Sequence, residues 1–75
     1  MKIVNRENAN YVILASDNFN QRQIFCKFFI HLNQTDSLSG ALMVFASGHP
    51  EIIKPNIRID IYKVRNGNII GGGNY

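Results

Sequence analysis

Ile57, Ile59 and Ile61 alternate with Arg58, Asp60 and Tyr62, and the run leads into Asn66-Gly67. Strict alternation suits a strand with one face in a core and the other in a polar setting. Asn-Gly is the preferred pair for a two-residue hairpin turn, because both central residues must adopt positive φ. The pattern predicts a hairpin with Asn68-Ile69-Ile70 as the short return strand. A chain of 75 residues that carries such a hairpin has to organise itself around a sheet, and 1–75 has room for one small domain only.

The composition agrees. Eleven Ile, five Phe, four Val and three Tyr are residues that fit a pleated, half-buried surface. With 45% hydrophobic and 17% charged residues the chain is not of the disordered class. Cys26 is the only cysteine, so no intrachain disulfide can staple the fold, and a lone cysteine fits a reducing compartment. The stretch Met1 to Glu7 is charged and amide-rich where a secretory leader needs an apolar core, and no run approaches the ~18 apolar residues of a membrane span. The expected setting is cytoplasmic, without a membrane. So short a domain is marginally stable alone, which makes a homodimer one expected source of further buried surface.

Along the chain, Lys2–Val4 reads as a first short strand, Asn5–Asn10 as a polar turn, Tyr11–Ala15 as a buried strand and Ser16–Asn20 as a turn. Arg22–Asn33 fits two templates. As a strand it places Ile24, Cys26, Phe28, Ile30 and Leu32 on one apolar face and Phe25, Lys27, Phe29 and His31 on the other; as a helix, Ile24, Phe25, Phe28, Phe29 and Leu32 share a side. The segment has no Ala or Glu and is rich in Phe and Ile, which favours the strand. Ala41–Ala46 reads as a further buried strand ended by Gly48-His49-Pro50, and residues 71–75 as a flexible glycine-rich tail. The expected fold is mainly β, an antiparallel meander, barrel or sandwich of five or six short strands. The alternative is α+β, with a helix at about 18–33 packed on an antiparallel sheet.

Catalysis finds little support. A cysteine nucleophile needs a base within hydrogen-bond reach, and the strand assignment puts Cys26 and His31 on opposite faces. His49-Pro50-Glu51 contains the H-x-E half of a zinc deaminase signature, but no downstream cysteine pair follows. His31 and His49 have no further ligands placed nearby for a metal, and the Gly71–Gly73 run leads into no helix that would make it a phosphate cradle. The expectation is a protein that is not an enzyme and has no cofactor or metal.

The feature with binding character is the mixed face of the central strand, Phe25, Lys27, Phe29 and His31, where rings alternate with basic groups as in binders of single-stranded nucleic acid. Phe28-Phe29-Ile30-His31-Leu32 resembles the second RNA-binding strand of cold-shock domains, although the glycine-aromatic motif of that family's first binding strand is missing upstream. That resemblance implies a small nucleic-acid-binding β-barrel. At the other end, the stretch from Ile59 to Ile69 resembles the C-terminal strand-turn-strand of SnoaL-like polyketide cyclases and their nuclear-transport-factor-like relatives. The helices that form the pocket in those proteins have no counterpart here, so the likeness implies only a curved sheet able to dimerise. A net charge of +3 is small for nucleic-acid binding. The balance favours a small non-catalytic protein–protein interaction protein, an inhibitor or accessory factor acting through an exposed sheet face or edge. Ten Asn beside eleven Ile suggest an AT-rich coding source such as a phage or another mobile element. The expected contact residues are Phe25, Lys27, Phe29, Arg58, Tyr62 and Arg65, aromatic and charged groups of the kind that anchor interfaces. The partner is a protein, or a second copy of the chain; nucleic acid is the alternative, with Phe25, Lys27, Phe29, Arg58, Lys63 and Arg65 on one surface.

Overall fold

The computed structural model describes residues 2–17 and 23–74. Five strands, β1 (Lys2–Ile3), β2 (Tyr11–Asp17), β3 (Gln23–His31), β4 (Ile57–Arg65) and β5 (Asn68–Asn74), form one antiparallel sheet in the order β1-β3-β2-β4-β5. The protein is therefore mainly β, as the composition indicates. The sheet is open rather than closed into a barrel, since β1 and β5 remain its two edges. Within Arg22–Asn33 the chain is strand over Gln23–His31 and no described residue of it is helical. Ser16 and Asp17, expected in a turn, extend β2, and 18–22 lie outside the described residues.

The expected strand at Ala41–Ala46 is instead part of a helix, α1 (Leu38–Gly48). Topology supplies the reason. β3 and β4 both run antiparallel to β2, which lies between them, so they point the same way. Strands with the same direction cannot be joined by a tight turn and need a crossover of a dozen or more residues, usually a helix. Ser37 starts that helix: its backbone is extended and its Oγ accepts a hydrogen bond from the Gly40 N–H at 3.0 Å. Leu38, Ala41, Leu42 and Phe45 then face the sheet, while Met43 and Val44 are 72% and 67% exposed. A continuous apolar run carries no visible period, and its helical face appears only once the helix has a sheet to pack on.

The core lies between α1 and the sheet, built from Ile13, Ala15, Ile30 and Ile61 on the strands and Ala41 and Phe45 on the helix. Leu32 and Ile52 close it at the two ends of the crossover. Cys26 and Phe28 pack against this cluster, as the apolar face of the strand predicts. Ile24 departs from it. Ala15 pairs with Cys26 but Ser16 pairs with Ile24, so Phe25 is an extra residue at a β-bulge. The bulge turns Ile24 to the side of Ser16, where it is 54% exposed.

Asn10 clamps three segments. Its side-chain amide donates to Leu32 O at 2.7 Å and accepts from Leu32 N at 2.8 Å. Its own N–H bonds Ile30 O, and its carbonyl accepts from Val64 N. Asn10→Ala would leave the buried Leu32 without partners for two backbone groups. It is expected to lower stability by about 2 kcal/mol, seen as a lower urea midpoint with unchanged slope. An unchanged midpoint would show that the clamp contributes nothing.

The Asn66-Gly67 turn forms as its sequence predicts, with φ of 53° and 81° at the two residues. The return strand, however, continues past Ile70. Gly71, Gly72, Gly73 and Asn74, which composition casts as a tail, pair with Lys63, Tyr62, Ile61 and Asp60. Tyr75 lies outside the described residues.

Candidate binding face

One face of the sheet is covered by α1. On the other, the middle strand contributes Val12 and Leu14, and the pairing register sets their neighbours. Val12 lies between Phe29 of β3 and Tyr62 of β4; Leu14 lies between Lys27 and Asp60; Ser16 faces Arg58. Because alternate residues share a face, the register brings Lys27, Phe29, Arg58 and Tyr62 together on the side away from the helix. The side chain of Phe25, at the bulge, lies outside the described residues. Arg65 is not brought to this face. Alternation along β4 sets it with Lys63, and it lines a separate, mostly polar notch of about 480 Å³ with Tyr11 and His31.

The open face has its own small core. Val12 is 1% exposed, and it clusters with Val64 and with Ala9 from the segment that precedes β2. Val4, Leu14, Phe29 and Tyr62 pack around them and are half-buried. The segment between β1 and β2 makes one 3-10 turn at Arg6–Asn8 and is tied down by Arg6, whose Nε donates to Gly67 O at 3.0 Å. A shallow groove of about 210 Å³ results. Val12, Leu14, Phe29 and Val64 form its floor, and Arg6, Lys27 and Ile69 stand at its rim.

The charges are unevenly committed. Arg58 Nε lies 3.1 and 3.2 Å from the two carboxylate oxygens of Asp60, and both side chains are largely buried, so Arg58 is neutralised within the chain. Lys27 Nζ sits 5.4 Å from the centre of the Phe29 ring, within cation–π range, and its residue is exposed. Arg6 and Lys27 are the charged residues lining the groove, and among the described residues neither has an acidic partner. Among the described residues, the carboxyl with a displaced titration is elsewhere, in the turn that enters α1. The Asn33 N–H donates to Asp36 Oδ2 and holds the Asp36 carboxyl below its ordinary value.

His49 is spent on packing, and His31 lines the notch that holds Arg65. His31 is exposed at the end of β3. His49 stacks on Phe45 with centroids 4.3 Å apart and lies 4.6 Å from Phe28, against the helix side of the sheet. Among the described residues no three His, Cys, Asp or Glu side chains gather in one place. No described helix is long and apolar enough to cross a membrane.

No protein-family model, no curated protein and no solved structure matches the chain. The likenesses to cold-shock domains and to polyketide cyclases thus gain no support from these comparisons, and the open sheet differs from the barrel that the first implies.

Arg6, Val12, Leu14 and Ile69 belong to the groove and were not among the residues that the sequence points to. Tyr11–Ala15 is apolar on both of its faces, so nothing in it distinguishes residues under a helix from residues under solvent. Arg6 lies 61 positions from Gly67, a proximity that no local pattern carries.

Proposed function

We propose that this protein is a non-catalytic binding module that takes a protein partner on the open face of its sheet. The observation that carries the reading is the groove itself, an apolar floor of Val12, Leu14, Phe29 and Val64 on a face that no helix covers, with aromatic and charged groups around it. Its centre is apolar and its charges lie at the edge, the arrangement of a protein interface. At about 210 Å³ it is smaller than the ~300–1,000 Å³ of small-molecule pockets and suits inserted side chains. The reading fits an accessory or inhibitor protein of the cytoplasm, where the lone Cys26 stays reduced.

Nucleic acid is the weaker alternative because the cations are not where it needs them. Arg58 is held by Asp60 and Arg65 lies in the notch, which leaves Lys27 and Arg6 on the face. Two phosphate contacts give a salt slope of only about −1.4 to −1.8.

Ile69→Ser tests the reading. Ile69 is 57% exposed at the groove rim, so the substitution is expected to move stability by less than about 0.5 kcal/mol. Protein captured by the immobilised wild type from a lysate of the cells that express it should be lost on the variant. Capture that survives Ile69→Ser, or micromolar binding of single-stranded DNA or RNA that falls steeply with salt, would overturn the proposal.

A further inference from the structure

The structure points to the chemistry of the partner: we infer that the groove takes an acidic, apolar peptide segment. It seats one aliphatic or aromatic side chain on Val12, Leu14 and Phe29 and holds a carboxylate between Arg6 and Lys27. The inference rests on the protein-binding reading above and adds the character of the segment that binds.

Charge decides it. Both charged residues that line the groove are cations, and neither is engaged by an acid among the described residues. Arg6 is already oriented, because its Nε is fixed on Gly67 O. Less side-chain freedom is lost when such a guanidinium meets a carboxylate, and its planar fork matches a carboxylate better than a point charge does. Lys27 is exposed, with its Nζ 5.4 Å from the centre of the Phe29 ring. A bound carboxylate between the two would make charge-assisted hydrogen bonds that an amide could not equal.

The same charges work against a second copy of this chain as the occupant. Two open faces set together would bring four groove cations into one contact between chains that each carry +3. A copy docking with its helix side would instead use opposite faces of the sheet, a head-to-tail contact rather than a self-complementary pair. The occupant is a segment of a different protein.

The test is selection of a displayed library of random dodecapeptides on the immobilised full chain, followed by synthesis of the selected peptides. Asp or Glu close to Leu, Ile, Phe or Met is the expected consensus. A selected peptide should bind the wild type and lose at least about tenfold in affinity on Lys27→Glu, which changes an exposed side chain. The same peptide with Glu replaced by Gln should show a comparable loss, and Ile69→Ser should remove binding. Unchanged thermal melting of both variants ties the losses to the groove. Peptides that are lost on Ile69→Ser but lack acids and ignore Lys27→Glu would overturn the acidic chemistry while leaving the open face as the binding site. No selected peptide, peptides indifferent to Ile69→Ser, or displacement of them by single-stranded oligonucleotide at low salt would overturn both.

Discussion

Phe45→Ala is expected to leave the chain without a cooperative fold at room temperature. Phe45 is 2% exposed in the second half of α1, with its ring 4.5 Å from Phe28 in a T-shaped contact and 4.3 Å from His49 in a stacked one. Truncating a buried Phe costs about 3–5 kcal/mol, and edge-to-face partners add roughly 0.5–1.5 kcal/mol beyond burial. Small domains have only about 0.05–0.15 kcal/mol of stability per residue, so the loss is comparable with everything this chain has. No disulfide constrains the unfolded state in compensation. The check is urea unfolding followed by far-UV circular dichroism, with Met43→Ala as the companion variant. Met43 is on the same helix but 72% exposed, and its truncation should change stability by less than about 0.5 kcal/mol. A Phe45→Ala protein that unfolds at nearly the wild-type urea concentration would remove α1 from its assigned place over the sheet.

The second large effect is at Gly72. Its φ is +105°, a conformation that residues with a side chain rarely adopt, and a Cβ there would lie 2.5 Å from Ile61 O and 2.8 Å from Tyr62 Cα. Both contacts are backbone atoms of the paired strand and cannot swing aside. Gly72→Ala therefore combines backbone strain of about 1–3 kcal/mol with separation of β5 from β4. A total loss of about 3 kcal/mol or more is expected. The neighbouring Gly71 has no positive φ, and a Cβ there meets nothing within 4 Å. Gly71→Ala should be neutral or stabilise by up to about 1 kcal/mol, through the unfolded state. Amide hydrogen exchange across Asp60–Lys63 reads the pair directly, with protection lost in Gly72→Ala and kept in Gly71→Ala. Equal behaviour of the two variants would mean that the glycine run is the tail its composition suggests.

How far the fold was legible differs from element to element. The β4–β5 hairpin was legible because its determinants are local: alternating Ile residues, and a turn whose two residues must take positive φ. β3 was legible from its Phe and Ile content, and the apolar face through Cys26, Phe28 and Ile30 followed. The bulge at Phe25 was not, since it is a property of two strands in register, and it moved Ile24 off that face. On the open face, Lys27, Phe29, Arg58 and Tyr62 were marked by residue type, and alternation was enough to group them once the strands were known. Arg65 failed the same test because it sits on the other parity of β4.

What the sequence alone determined is what neighbours within a few residues decide: strand propensity, the Asn66-Gly67 turn and the two-residue periodicity of β3 and β4. Tertiary structure alone decided α1, since an apolar run takes the shape that the connection between two strands of the same direction requires. It also decided which face of β2 is open, because Ile13 and Val12 are chemically alike and differ only in whether α1 lies above them. The pairing of Arg6 with Gly67, and with it the charge of the groove, belongs to the same class. Contacts across the fold depend on strand order, and strand order is set by the packing of the whole chain rather than by any segment of it.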